Sequence, residues 1–207
     1  MALTCQVLLS NHPQSWQRAT VHPFLGQCQD GTIRPEQFNT WLVQDYHFVV
    51  DFTRFVGRVL AAAPASDFEV ILAGLQALQD ELAWFRAKAT ERQVSLDVPR
   101  QETCQTYCDL MGNLAHAPYP VQATAFWAIE LAYNQGWQKP GPMEPPYDEF
   151  ADRWGNPGFT EYVALLAAQA DQSLASANGM IQAQAEAAFL RVAALENAFW
   201  QMAYSAG

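Results

Sequence analysis

Basic residues are scarce in this sequence. Eleven Lys and Arg side chains stand against 21 Asp and Glu, the net charge is −10, and no basic cluster offsets it. Proteins that bind nucleic acid neutralise phosphates with a basic face, and membrane-surface helices carry Lys and Arg along their polar side. We therefore expect neither a nucleic-acid partner nor attachment to a membrane surface.

Long apolar runs are also missing. No stretch approaches the roughly 18 consecutive apolar residues that a transmembrane helix needs. The N-terminal segment lacks the basic region that opens a secretory signal peptide. The sequence thus predicts no spanning helix and no export.

Cysteines are few and form no recognisable pattern. Cys5, Cys28, Cys104 and Cys108 make no CxxC pair and no regular framework, which is typical of a protein in the reducing cytoplasm. Cys104 and Cys108 lie one helical turn apart, but a single pair supplies only half a metal site. A role as small apolar core residues is favoured.

Common catalytic motifs are absent as well. The sequence has no nucleophile elbow, no P-loop and no GxGxxG, so a nucleotide cofactor has no cradle. A di-iron centre in a helix bundle needs Glu-x-x-His on two helices. None of the four histidines follows a Glu by three residues, and Glu81 is followed by Trp84 at that spacing. We expect no metal and no organic cofactor.

Helical periodicity is what the sequence does contain. Apolar residues make up 50% of 207 residues, enough for one large core, and strand signals are nearly absent. A proline-rich segment, 138–146, is predicted to be a rigid extended strap. The sequence predicts an all-α fold, a bundle of seven or eight helices in one domain over residues 1–207. The predicted helices cover approximately residues 12–28 (broken at His22-Pro23), 35–63, 66–92, 99–112, 118–136, 148–154, 159–177 and 180–204.

Three of these helices carry an acid on an otherwise apolar face. Asp45 lies in the stripe of the helix that begins at Pro35, Glu130 lies among aromatic residues of the 118–136 helix, and Glu196 is central on the last helix. An unpaired buried carboxylate is costly. Three such acids therefore indicate one shared cavity that needs them.

A structural alternative stays open. Each acid can be a core residue whose carboxyl group is satisfied separately, with Tyr107, Tyr133 and Tyr46 as candidate partners. Tyr107 lies on the inward side of its helix, where its hydroxyl either orients a carboxylate or ligand, or belongs to an ordinary core tyrosine.

Carboxylates among aromatic rings suit one ligand type. A flat heteroaromatic base with amino groups stacks on aromatic side chains and pairs with an Asp. A second carboxyl group with a raised pKa can then serve as general acid and base toward a leaving amine.

A combination of residues spread over most of the chain points to a family. It comprises Trp16 with His22-Pro23-Phe24, the turn Asp30-Gly31-Thr32, Phe38, Gln44-Asp45-Tyr46, Tyr107, and Glu196-Asn-Ala-Phe199-Trp200 with Ala203-Tyr204. In this combination the sequence resembles the TenA/thiaminase II family. The resemblance implies a haem-oxygenase-like helical fold and the hydrolytic salvage of thiamin pyrimidines.

The sequence departs from the better-known branch of that family, which carries a catalytic Cys in its central helix. Here the stretch Phe126-Trp-Ala-Ile-Glu130-Leu-Ala-Tyr133 has no Cys, and it is similar to the TENA-E branch, in which a Glu replaces it. Arg153-Trp154-Gly155-Asn156 also resembles that branch. The resemblance implies hydrolysis of aminomethylpyrimidine, or of its formylated precursor, to hydroxymethylpyrimidine.

The resemblance also implies roles for individual residues. Asp45 would bind the pyrimidine ring nitrogen and the 4-amino group, and Glu196 would be the general acid near the leaving amine, supported by Tyr107. Glu130 would attack directly or activate water. The residues that would stack on the ligand or wall the site are Phe48 and Tyr133.

Two other functions remain as alternatives. One is a pyrimidine-binding or regulatory relative without catalysis. The other is a haem or quinone-cofactor oxygenase on the same fold, in which His22 or His47 would have to be the axial ligand of a haem. The apolar helical faces also predict a homodimer or homotetramer.

Overall fold

A computed structural model describes residues 3–207 of the chain. Within this range the chain forms ten α-helices and one short 3-10 turn, Ala65–Asp67, and no strand. None of these helices has the length and apolar character needed to cross a bilayer. The helices are α1 (Cys5–Asn11), α2 (Pro13–Thr20), α3 (Pro23–Gln29), α4 (Pro35–Ala62), α5 (Phe68–Glu91), α6 (Glu102–Leu114), α7 (Tyr119–Gln138), α8 (Asp148–Trp154), α9 (Pro157–Ala175) and α10 (Gly179–Tyr204).

Helix α7 is the centre of the bundle. Fifteen of its 20 residues are buried, because α9 and α10 pack along it and α2, α4 and α8 cover its other sides. A helix that is apolar around its whole circumference belongs in such a surrounded position. Glu130 therefore lies on the most enclosed helix of the protein.

The helices α4, α9 and α10 begin at residues that favour a helix start, a proline or a capping asparagine. Pro35 occupies the first turn of α4, where its missing N–H leaves no bond unmade. Asn156 and Asn178 cap α9 and α10 by accepting hydrogen bonds from the backbone N–H groups of Phe159 at 2.9 Å and Ile181 at 3.0 Å. These starts match the sequence pattern to within a few residues.

The beginning of α5 differs from the prediction. The spacing from Ser66 to Glu69 predicts a capping box, yet α5 starts at Phe68 after a 3-10 turn and has no side-chain cap. The Ser66 hydroxyl donates to Oδ1 of Asp67 at 3.0 Å instead, and the other oxygen of Asp67 accepts from Tyr119 at 2.5 Å. A contact with α7 thus replaces the local cap.

Candidate functional site

Asp45 lies on the inner face of α4 with no exposed surface. Its Oδ1 accepts a hydrogen bond from the hydroxyl of Tyr133, while its Oδ2 has no partner among residues 3–207. Burial raises the pKa of the Asp45 carboxyl well above its usual value, and the bond from Tyr133 opposes this rise. One oxygen of a fully enclosed carboxyl group is thus left over for something else.

Glu196 on α10 has a similar arrangement. It is 1% exposed, and the hydroxyl of Tyr107 on α6 donates to its Oε1 at 2.5 Å. Burial raises the pKa of Glu196 to about 8, despite the hydrogen bond from Tyr107, which lowers it. At neutral pH this carboxyl group therefore holds its proton.

Phe48 joins the two pairs. Its ring centroid lies 4.7 Å from that of Tyr107 and 6.4 Å from that of Tyr133, to which it is parallel within 2°. Phe48, Asp45, Tyr133, Tyr107 and Glu196 are here called the aromatic compartment. Residues from four helices, α4, α6, α7 and α10, meet in it.

These contacts also bear on the structural alternative. Two of the three acids are paired with tyrosines named by that alternative, Asp45 with Tyr133 and Glu196 with Tyr107. Glu130 is different: it is 8% exposed and its carboxyl group makes no hydrogen bond or ion pair within the described chain. A satisfied core acid does not account for Glu130.

Glu130 lies one helical turn before Tyr133 and lines a cavity of about 230 Å³ between α5, α7 and α9. Burial raises the pKa of Glu130 well above its usual value, and the negative charges of Glu81 and Glu196 add to the rise. The cavity is here called the acidic pocket. Its lining comprises Ala73, Gly74, Ala77, Leu78, Glu81, Glu130, Asn156, Gly158, Phe159 and Tyr162.

Glu81, the second acid of this pocket, is the site residue that the sequence reasoning missed. It is half-buried on α5, and burial raises its pKa to about 7, although the charge of Arg153 lowers it. The signal was present, because Glu81 continues the buried stripe Ile71, Gly74, Leu78 and Phe85 at spacings of three and four.

Trp154 connects the acidic pocket to the aromatic compartment. Its ring packs edge-on against Tyr133 with centroids 5.8 Å apart, and its Nε1–H points to Oε2 of Glu81 at 3.4 Å. The stretch from Arg153 to Asn156 thus borders both regions. Glu130 on α7 is close to both regions, because the charges of Glu81 in the pocket and of Glu196 in the compartment both raise its pKa.

None of the four histidines belongs to the aromatic compartment or to the lining of the acidic pocket. His22 is the N-cap of α3: its Nδ1 accepts from the backbone N–H of Phe24 at 3.2 Å, and its Nε2 pairs with Gln201 at 3.3 Å. Both of its ring nitrogens are therefore engaged, which does not fit an axial haem ligand. Across residues 3–207, no three His, Cys, Asp or Glu side chains are grouped so that they could hold a metal ion.

Comparison with known proteins places the fold and the family. The model of the TENA/THI-4/PQQC family matches residues 9–206. The chain belongs to this family. Its fold is the all-α, haem-oxygenase-like fold of the TenA proteins, as the sequence predicts. At the level of the family, this membership supports a role in thiamin salvage.

Three relatives are particularly similar. A "Probable bifunctional TENA-E protein" from Glycine max is 38% identical over 206 residues, which cover 94% of this chain and 90% of the relative. An "Aminopyrimidine aminohydrolase" from Halalkalibacterium halodurans is 24% identical over 204 residues, covering 92% and 90%. The X-ray structure of a TenA homologue from Pyrococcus furiosus superimposes with a TM-score of 0.92 at 27% identity, covering 96% of this chain and 98% of that one.

Proposed function

We propose that this TenA protein is a cofactor-free aminopyrimidine aminohydrolase, which converts aminomethylpyrimidine, or its formylated precursor, to hydroxymethylpyrimidine. The observation that carries the proposal is the pairing in the aromatic compartment. Two buried acids, Asp45 and Glu196, each accept a hydrogen bond from a tyrosine, and the rings of both tyrosines lie beside that of Phe48. The names of the soybean and Halalkalibacterium relatives support the same assignment.

Asp45 would recognise the pyrimidine. Tyr133 fixes the carboxyl group through Oδ1, and the buried Oδ2 has no hydrogen-bond partner among residues 3–207. A carboxyl group whose pKa is raised can carry a proton and offer one donor and one acceptor side by side. A ring nitrogen next to a 4-amino group presents the complementary acceptor and donor, and Phe48 supplies a face for stacking.

Glu196 would keep the departing nitrogen protonated. With a pKa of about 8 it holds a proton at neutral pH, and Tyr107 fixes the direction in which that proton points. In the reaction the C–N bond breaks with its electron pair on nitrogen, and a C–O bond forms to water, whose proton must go to a base. Ammonia and the hydroxymethyl product result.

Glu130 would complete the chemistry, because it is the one buried acid of the three without a hydrogen-bond partner in the described chain. It either accepts the proton of the attacking water or attacks the methylene carbon itself. A single turnover in ¹⁸O-water separates the two routes. Direct attack by water puts the label in the product, whereas an ester intermediate opened at its carbonyl carbon leaves the label in Glu130.

An ammonia-release assay on a small panel of thiamin fragments tests the proposed function. We expect release from aminomethylpyrimidine that disappears in Glu130→Gln and Glu196→Gln, while Glu161→Gln, an exposed position on α9, retains it. Full activity in Glu130→Gln would contradict the assignment of that residue. Tight binding of pyrimidines without any turnover would instead support the non-catalytic alternative.

The assembly and location of the protein are proposals of the same kind. We propose a cytoplasmic homodimer or homotetramer. Apolar side chains that remain exposed on adjacent helices, Leu72 on α5 and Leu165 on α9, offer a patch for self-association. Light scattering after size exclusion would give the order, and a monomer would contradict it.

A further inference from the structure

The acidic pocket contains polar groups that the protein itself does not satisfy. Glu130 has no hydrogen-bond partner within residues 3–207, and the buried hydroxyl oxygen of Tyr162 has none either. Glu81 receives only the long contact from Trp154. Buried polar groups are normally paired, so Glu130 and the Tyr162 hydroxyl without partners, with the half-buried Glu81 beside them, indicate a missing ligand in this cavity.

The pocket is also shaped around these groups. Tyr162 comes so close to α5 that a Cβ at Gly74 would lie 2.2 Å from its hydroxyl oxygen. Only glycine leaves room for the hydroxyl there. By contrast, Asn156 is a wall residue: its Oδ1 caps α9, and its Nδ2 donates to the carbonyl oxygens of Asp152 and Arg153 at 2.9 Å each.

The unsatisfied groups select a cation with several N–H donors. A bound cation displaces the protons that burial keeps on Glu81 and Glu130. The ionised carboxyl groups then only accept hydrogen bonds, and a tyrosine hydroxyl can accept one as well. A primary ammonium group has three donors and no acceptor, so it complements Glu81 and Tyr162, while Glu130 at the border of the pocket is left for the attack on the methylene carbon. A carbonyl oxygen in the pocket would lie beside the ionised carboxyl groups of Glu81 and Glu130, which cannot donate a hydrogen bond. Only the hydroxyl of Tyr162 could donate to it.

The charges around the pocket agree with this choice. From α8, Arg153 is the nearby cation; Lys88, further along α5, is already paired with Glu91 at 2.7 Å and Glu149 at 2.8 Å. Glu196 from α10 raises the pKa of Glu130, Glu81 in turn raises that of Asp45 on α4, and α9 contributes the neutral Tyr162. When Glu81 and Glu130 are both ionised, Arg153 offsets one of their two charges, so one negative charge is left for a bound cation.

The position of the pocket fits the proposed substrate. Trp154 contacts Glu81 of the pocket and Tyr133 of the aromatic compartment, and Glu130 borders the pocket one turn before Tyr133 on α7. Glu81 and Glu196 both raise the pKa of Glu130, so an amine placed beside Glu130 would lie between the proposed general acid and the acidic pocket. At neutral pH the aminomethyl side chain is a cation, because alkylamines have pKa values near that of lysine, whereas the formylated side chain is neutral.

We propose that the acidic pocket is the subsite for the substrate's primary ammonium group, and that Glu81 determines specificity by favouring the aminomethyl compound over its neutral formylated precursor. This inference rests on the proposed function for the identity of the substrate. The chemistry of the pocket does not depend on the proposed function, because the pocket selects a small organic ammonium ion in either case.

The proposal is tested by comparing two substrates in the Glu81→Gln variant, with Glu69→Gln, exposed on the same helix, as control. We expect kcat/KM for the aminomethyl compound to fall about tenfold or more through KM, since a charge-assisted bond is lost, and that for the formylated compound to change little. Tyr162→Phe should act in the same direction and less strongly. Equal effects on both substrates, or none, would overturn the proposal.

A binding measurement separates failure of the pocket from failure of the proposed function. Aminomethylpyrimidine and the neutral hydroxymethyl product are each titrated into the protein by calorimetry. Two buffers of different ionisation enthalpy reveal the protons released on binding. Where the wild type hydrolyses the amine, the Glu196→Gln variant serves as the background protein. Tighter binding of the amine with proton release, both lost in Glu81→Gln, supports the pocket. Absence of ammonia release with this signature intact would refute only the hydrolase; equal affinity for the two ligands would refute the pocket.

Discussion

The hydroxyl of Tyr107 donates to Oε1 of Glu196 at 2.5 Å, although 89 positions separate the two residues in the chain. The bond crosses from α6 to α10 in a fully buried environment, where burial raises the pKa of Glu196 to about 8. It lowers that pKa relative to what burial alone would produce. The bond therefore both orients the proposed acid and sets the pH at which it loses its proton.

Tyr107→Phe is expected to shift the pH profile. Without the donor, the pKa of Glu196 rises further, so the alkaline limb of kcat should move to higher pH while kcat itself falls about tenfold because the carboxyl group is less well oriented. Rates of ammonia release between pH 6 and 10 check this. An unchanged alkaline limb would mean that Glu196 is not the group that titrates.

Asp45→Asn should impair binding more than folding. The amide has the shape of the protonated carboxyl group, and its oxygen can still accept from Tyr133, so we expect the melting temperature to stay within a few degrees of wild type. The pyrimidine would lose the acidic donor, and KM should rise at least tenfold. A large loss of stability with unchanged KM would favour a purely structural role for Asp45.

The stability of the unliganded protein should depend on pH through Glu196. Its folded-state pKa of about 8 exceeds the ordinary value of 4.5, so the folded state binds the proton more tightly than the unfolded state does. The contribution of Glu196 to the free energy of unfolding is complete below about pH 4.5 and is lost as the pH rises toward about 8. Urea unfolding at pH 5 and pH 8 should show a smaller decline in Glu196→Gln than in wild type.

Other groups titrate over the same range, and Glu81 in particular has a pKa of about 7. The difference between the two proteins, rather than the wild-type curve, therefore isolates Glu196. Parallel curves for wild type and Glu196→Gln would show that the folded and unfolded states bind this proton equally.

Gly74→Ala should destabilise the protein and disturb the acidic pocket. Its Cβ would lie 2.2 Å from the hydroxyl oxygen of Tyr162, and relieving that clash costs about 1–3 kcal/mol. Adding Tyr162→Phe removes the clashing oxygen and should restore part of the loss. Free energies of unfolding from denaturant titrations provide the measurement.

Gly57→Ala is the matched control for that substitution. Gly57 is also inside a helix, but no atom lies within 4 Å of its added Cβ, so the change should be neutral or stabilising by up to about 1 kcal/mol. Similar losses at Gly57 and Gly74 would indicate that helix propensity or flexibility, and not contact with Tyr162, decides the outcome.

Local sequence determined much of the fold. The starts of α4, α9 and α10 follow from Pro35, Asn156 and Asn178, because capping depends on residues only a few positions apart. Helical periodicity likewise put Asp45, Glu130 and Glu196 on inward faces, since burial of one face at spacings of three and four is a property of each helix by itself. The family resemblance is confirmed as well: it rests on residues spread along the chain, and the family model matches residues 9–206.

The tertiary structure decided the rest. Helix α1, which the sequence pattern does not predict, is held by the bond from the backbone N–H of Cys5 to Oδ1 of Asp171 on α9 at 2.6 Å, a contact between residues 166 positions apart. The ten helices, where seven or eight were predicted, reflect such contacts as well as breaks at short range.

Which acid meets which partner is likewise a matter of how whole helices are rotated and stacked. Periodicity gives the inward face of a helix but not the neighbour across from it, so only the packed bundle paired Asp45 with Tyr133 and set Glu130 opposite Glu81. The sequence alone determined that this chain buries acids on several helices. Packing, which acts between residues far apart in sequence, determined that two of them bind tyrosines and that another pair lines a pocket.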